Sequence, residues 1–429
     1  MAKLWQKSGK KLHPLVEKYT VATDDVFDVL LMPFDITVCK THAKGLKQIG
    51  ILTARELKSL LDALAQLEQD CKEGAVRITK ADEDSHTVIE NYLVKKLGAV
   101  GKKIHTGRSR NEVIVAMRLY MKDALGQSRK QCLHLAREFL DMADEHKNIP
   151  MAGYSHTQQA MLSSIGHYFS AFAESMLDDS DVLHLAKMHL DKSPLGSAAG
   201  FGVSLPLDRV YTAKELGFGS IQINSLYCQN SRGKFESLYM EALAQVMLTL
   251  GRFANDMLLF TSQEFDFFLI DDSLVTGSSI MPHKRNLDAM EILRGNVSVV
   301  IANQLMVKDI AKNLLSGYNR DGQLMKKPIF ESTQIVLDSL KIVELILKGL
   351  TPKTDRIIAN IRMGIFTADI ANDLVSKKGV PFRDAYRQAA DTDVGNINLM
   401  ANIASKKSLG APGNLGLKLL RKRVSKLSI

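Results

Sequence analysis

The sequence predicts an all-α protein organised around long helices, and two observations predict it. Between Gly233 and Ser262 the apolar residues Phe235, Leu238, Ala242, Val246, Leu250, Phe253, Met257 and Phe260 recur at intervals of three or four with no proline among them, which gives one buried helical seam. Four further stretches are also free of proline and helical in pattern: 111–146, 157–192, 288–316 and 329–348. Rods of roughly 25–35 residues would be about 40–50 Å long, so they are stabilised by packing against one another, and their exposed seams invite partner subunits.

Taken in chain order, Asn111 stands where the first of these helices begins and is suited to cap it. The second follows a Gly-Tyr-Ser-His string, and the third starts after Gly233. The fourth follows a glycine- and serine-containing loop, and the fifth closes on Gly349 as a C-cap. Thr351-Pro352 then supplies a local break.

Composition narrows the class. A chain of 429 residues suggests two or three domains on length alone, and its 45% apolar content is ample for a large core. No run of 18 apolar residues occurs; even 335–350 is interrupted by Asp338, Lys341 and Glu344. The first residues, Met1 to Gln6, lack an apolar signal core, so the expectation is a cytoplasmic address with neither export nor membrane insertion. Cys39, Cys71, Cys132 and Cys228 lie far apart and read as free thiols, which at their blandest are small buried apolar residues. The eleven histidines form no ligand cluster, so no metal is expected. The net charge of +9 and the basic stretch from Lys418 to Lys426 raise nucleic acid as a partner. The basic residues are otherwise scattered and lack interleaved aromatics, however, so a solvated terminal helix and a field attractive to an anionic substrate account for the charge.

The segment from Thr276 to Asn286 carries the most chemistry. Gly277-Ser278-Ser279 changes its backbone angles at low cost, Pro282 stiffens the far side, and Lys284 and Arg285 add two cations, so the loop is suited to closing over an anion. It resembles the Gly-Ser-Ser-x-Met-Pro-x-Lys-x-Asn signature of the fumarase/aspartase superfamily. Ile104 to Asn111 and Gly153 to Gln158 resemble the first two signatures of argininosuccinate lyases, and Gly379-Val380-Pro381-Phe382-Arg383 is similar to a block of that family. Weaker similarity at 83–87, 194–197, 206–209 and 318–323 extends the resemblance over the whole chain in order.

The resemblance implies a homotetramer with a central twenty-helix bundle and active sites shared between subunits. It implies an N-terminal helical domain to about residue 103, a long-helix domain to about 350 and a small helical domain from 351. The implied reaction is a reversible, cofactor-free β-elimination of argininosuccinate to arginine and fumarate. Removing a proton beside a carboxylate creates a dianionic aci-carboxylate, so a site must supply a base, preorganised cations and dipoles, and an acid for the departing nitrogen.

By resemblance Ser278 is the base, and Lys284 with nearby backbone amides lowers its pKa and holds the aci-carboxylate. Read alone, Ser278 is an ordinary loop serine. His156 matches a family histidine paired with Glu291, a pair that either donates the proton to the leaving guanidinium or positions a water that does. Ser109, Arg110, Asn111, Ser155 and Asn286 are the implied carboxylate binders, Arg110 through a bidentate grip; Asn111 can cap its helix as well. Tyr318, Gln323 and Lys326 match substrate-contacting positions, the first two at the arginine end.

Several positions depart from the family pattern. Glu112-Val113 follows Asn111 where Asp-Gln is usual, and His283 and Leu287 replace Gln and Pro. Gln159, Met161 and Leu162 stand where the family has Arg, Gln and Pro. Asn224 to Gly233 reads Asn-Ser-Leu-Tyr-Cys-Gln-Asn-Ser-Arg-Gly in place of Asn-Ser-Leu-Asp-Ala-Val-Ser-Asp-Arg-Asp, keeping Arg232 but losing its acidic neighbours. Two other readings follow: a related lyase releasing fumarate from another N-succinyl compound, and an inactive tetrameric scaffold.

Overall fold

The computed structural model describes residues 13–21, 24–79, 82, 84–109 and 112–427. Of the site residues expected from sequence, Arg110 and Asn111 lie outside these, as do Glu83 and the N-terminal residues 1–6. The helices are α1 Pro14–Val21, α2 Asp24–Gln48, α3 Ala54–Lys72, α4 Ser85–Leu97, α5 Val113–Glu145, α6 Ile165–Leu190, α7 Arg209–Glu215 and α8 Ser225–Asn230. They continue with α9 Lys234–Phe260, α10 Asp288–Ala311, α11 Lys326–Lys348, α12 Thr354–Ala359, α13 Thr367–Lys378, α14 Phe382–Ala390, α15 Leu399–Ser405 and α16 Leu417–Leu427. Short strands β1 Pro150–Ser155, β2 Gln158–Ser164, β3 Lys192–Ser193, β4 Ser220–Ile221, β5 Phe268–Ile270 and β6 Leu350–Pro352 pair two by two. The architecture is all-α, as the sequence predicts. Among the described residues no helix is long and apolar enough to cross a membrane.

The five helices expected from sequence, α5, α6, α9, α10 and α11, contain 33, 26, 27, 24 and 23 residues, and α2, with Pro33 inside it, is a sixth long helix of 25 that the proline-free pattern did not mark. One expectation needs correction, and one is met on different physical grounds. The stretch from Thr157 begins as strand β2, because Ser155 pairs with Gln158 across a two-residue turn and the helix starts only at Ile165. Gly349 does end α11, its amide bonding Leu345 O and Ile346 O, but its φ is not among the positive values. Close packing accounts for that glycine instead, since a Cβ there would lie 2.4 Å from Leu274 Cδ1.

The chain divides into two compact units, and each long helix contributes residues to both. The first comprises 1–127, 183–244 and 300–334. In it α2, α3 and α4 bury Ile36, Leu46, Leu60, Leu64, Leu67 and Leu93 together. A capping box between Thr53 and Glu56 fixes the start of α3. Gly101 follows α4 so closely that a Cβ would meet Leu93 O at 2.3 Å.

The second unit comprises 128–182, 245–299 and 335–429. Phe139, Phe169, Phe172 and Phe253 form an aromatic cluster with centroid separations of 5.3–6.3 Å, within the range where offset and edge contacts are favourable. The β1–β2 hairpin packs Ala152 and Leu162 on Ile365, Phe366 and Ile403. The Gly-Val-Pro-Phe-Arg block is the α13–α14 turn: Gly379 ends α13 at φ 64° in the left-handed region, and Pro381 precedes α14.

Candidate active site

In the second unit the loop after β5 is pinched shut by reciprocal hydrogen bonds, Thr276 N to Asn286 O at 2.9 Å and Asn286 N to Thr276 O at 2.8 Å. Inside it Ser278 Oγ accepts the amides of Ile280 at 3.3 Å and Met281 at 3.2 Å. Two N–H dipoles aimed at one hydroxyl oxygen stabilise negative charge developing there. Asn286 Nδ2 reaches Gly277 O at 3.4 Å, and Thr276 Oγ1 donates to Asp288 at the start of α10. The two loop cations separate. Arg285 is engaged by Asp272 and by Ile270 O at 2.7 Å, whereas the Lys284 side chain is exposed. Glu291 is exposed in the first turn of α10.

The hairpin of the same unit presents Ser155 and His156, both exposed. His156 and Thr157 have φ of 51° and 59°, consecutive left-handed residues that make the type I′ turn a two-residue hairpin favours. That conformation costs most for a β-branched residue such as Thr157. The hairpin is anchored at Asn360, where Gln159 Nε2 donates to the backbone and side-chain oxygens at 2.7 Å and Tyr154 Oη donates to Oδ1 at 3.2 Å. Arg362 N donates in turn to Gln159 Oε1 at 2.9 Å. Within one chain, no hydrogen bond or ion pair joins His156 to Ser278 or to Glu291 among the described residues.

The first unit holds the other group. Ser109 is half-buried and follows Arg108, whose side chain is 2% exposed and contacts Cys39 Sγ at 2.9 Å and Glu112 at 3.6 Å. Glu112 Oε1 accepts the amides of Gly196 at 2.8 Å and Ala198 at 3.0 Å, so this departure from the family ties the segment to the 194–198 turn. Lys326 forms a buried ion pair with Asp28, a carboxylate whose pKa burial pushes up and the ammonium pulls back down. Beside it Asp35 accepts from Ser85 Oγ and His86 Nε2, and burial raises its pKa to about 7. Gln323 Nε2 donates to Thr20 O at 3.1 Å and Val21 O at 3.0 Å. Tyr318 is 38% exposed, with its ring over the Arg232 guanidinium.

Sequence reasoning overlooked Asp28, Asn360 and Asn230. Asp28 carried no usable signal, because a carboxylate in an amphipathic helix reads as solvated. Gln159 and Asn230 lay in the departures from the family pattern, where an altered residue points to an altered partner.

A crystal structure of EDDS lyase in complex with formate is similar to this chain with a TM-score of 0.79 at 21% identity, covering 98% of this chain and 91% of that one, which establishes the fold. The family model described as Lyase matches residues 11–302. An argininosuccinate lyase of Thermotoga neapolitana is 40% identical over 91% of this chain and 98% of its own length. One of Sorangium cellulosum is 39% identical over 99% of both. The chain belongs to the argininosuccinate lyase family.

Proposed function

We propose that the protein is a cytoplasmic, cofactor-free enzyme of arginine biosynthesis that cleaves argininosuccinate reversibly to arginine and fumarate. The observation that carries this reading is the Ser278 hydroxyl, which receives two backbone amides inside a pinched loop bearing an exposed lysine. The full-length likeness to argininosuccinate lyases supports the substrate.

Ser278, deprotonated in the closed loop, takes the proton from the succinyl carbon beside a carboxylate. The electron pair moves into that carboxylate to give the aci-form, whose doubled charge falls to Lys284, Asn286 and the loop amides. Collapse forms the carbon–carbon double bond of fumarate and breaks the carbon–nitrogen bond. His156 with Glu291 protonates the departing guanidino nitrogen, directly or through a positioned water. Ser109, Arg110, Asn111 and Ser155 hold the succinyl carboxylates, Tyr318 and Gln323 bind the arginine half, and Lys326 is a further substrate contact.

We propose a homotetramer in which each site draws these residues from different subunits, a reading in keeping with the lack of any hydrogen bond or ion pair between Ser278 and His156 within one chain among the described residues. The three domains expected from sequence then divide the labour, with the long-helix domain 104–350 carrying the catalytic segments. The test is fumarate absorbance on a panel of argininosuccinate, adenylosuccinate, aspartate and malate. Turnover of argininosuccinate above the others is expected; turnover of another compound alone, or of none, contradicts the reading.

A further inference from the structure

The divergent segment and the loop at the arginine end of the site come together in the first unit. Asn230 Oδ1 accepts the amide of Gly317 at 2.7 Å, and its Nδ2 donates to Ser316 Oγ at 3.3 Å. Gly317 has φ +106°, a conformation that favours glycine, so the loop is held at its sharpest bend. Two residues on, Arg232 Cζ lies 5.1 Å from the centroid of the Tyr318 ring. The guanidinium also meets Gly322 so closely that a Cβ there would sit 2.8 Å from Cζ. The guanidinium is thus a strut between the ring of Tyr318 and the backbone that leads to Gln323.

The departures from the family pattern fit this strut. Acidic residues at 231 and 233 would flank Arg232 in the family pattern, but here Ser231 is fully buried and accepts from Gln222 Nε2 at 2.8 Å. Gly233 has φ +83°, and a Cβ on it would lie 2.3 Å from Ala311 Cβ, so an aspartate does not fit. Arg232 Nη1 is buried without a hydrogen-bond partner among the described residues, and the residue lines a cavity of about 160 Å³ with Gln229, Asn230 and Asn319. With its flanking carboxylates gone, the cation is directed at Tyr318 through the ring face, an attraction that desolvation strengthens.

We propose that Asn230 and Arg232 are positioning residues that hold the 316–323 loop and thereby set affinity for the arginine half of the substrate. This rests on the argininosuccinate lyase reading above. The divergent segment then acts as scaffold beneath Tyr318, which explains how its sequence changes while the substrate-facing residues do not.

The experiment compares the parent with Asn230→Ala, Arg232→Met and Asn230→Asp in the assembled enzyme. It measures kcat and KM for argininosuccinate together with the inhibition constants of arginine and fumarate. Asn230→Ala and Arg232→Met should raise KM and the arginine constant about fivefold to tenfold, the scale of one hydrogen bond or cation–π contact. Under these changes kcat should stay within about twofold and the fumarate constant should not move. Asn230→Asp keeps an acceptor for the Gly317 amide and should stay near the parent. Asn230 is exposed, so Asn230→Ala remains informative even if Arg232→Met folds poorly. An active parent whose variants leave the arginine constant unchanged, or shift both product constants together, overturns the inference alone. A parent that releases no fumarate from argininosuccinate overturns the functional reading and this inference with it.

Discussion

In the proposed mechanism Ser278 is a poor base made serviceable by its surroundings: its oxygen already accepts two amides at 3.2–3.3 Å, so ionisation would need little reorganisation of the loop. Ser278→Ala should lower kcat about a hundredfold to ten-thousandfold while leaving KM largely intact, and steady-state kinetics reads both; activity within tenfold of the parent removes Ser278 from the mechanism. Asp35 supports a second prediction. Its folded pKa of about 7 is above the ordinary 3.8, so between about pH 4 and 7 the folded state holds a proton that the unfolded state has released. Stability therefore falls as pH rises through that window. Asp35→Asn cannot release this proton, so its deficit against the parent should shrink from pH 5 to pH 8, by on the order of 2 kcal/mol. Thermal unfolding of both proteins at the two pH values measures this, and an equal deficit at both would refute the assignment. At this scale the residue types of the 276–286 loop were legible because they sit together in one string. That Arg285 turns to Asp272 while Lys284 stays exposed was not legible, because a salt bridge between neighbouring loops leaves no periodic mark.

Among the elements, five of the long helices could be read from proline-free apolar patterns, whereas α2 could not, because Pro33 interrupts it. The β1–β2 hairpin could not, because its turn is His156-Thr157 rather than a glycine or asparagine pair, and only the backbone reveals two consecutive left-handed residues. The strain carries a prediction. Thr157→Gly relieves a left-handed β-branched residue at a cost of about 1–2 kcal/mol, offset in part by the greater entropy of glycine in the unfolded chain. The thermal midpoint should therefore hold or rise, and a clear fall would show that Thr157 makes a stabilising contact instead. Gly233→Asp, the family residue, should act in the opposite direction. At φ +83°, where a Cβ would lie 2.3 Å from Ala311 Cβ, it should cost about 1–3 kcal/mol and lower the midpoint. An unchanged midpoint would show that α10 yields there.

For the whole molecule, the five predicted helices of 23–33 residues are longer than a chain of this size needs for a single core, and exposed apolar residues remain on them, such as Ile292 and Leu305 on α10 and Leu345 on α11. Covering them with further copies is the simplest use of that surface, and light scattering should return a tetramer. The order of the signature strings was legible throughout the chain, but their division among subunits was not, since a sequence does not record which copy a segment meets. Complementation tests that division most directly. Ser278→Ala and His156→Asn proteins, each inactive, are mixed under mild dissociation and reassembled, and fumarate release is followed while mass analysis counts hybrid tetramers. If each site takes Ser278 and His156 from different chains, some hybrid sites contain neither substitution and activity returns. Hybrid tetramers as inactive as their parents would place both residues in one chain's site and contradict the account.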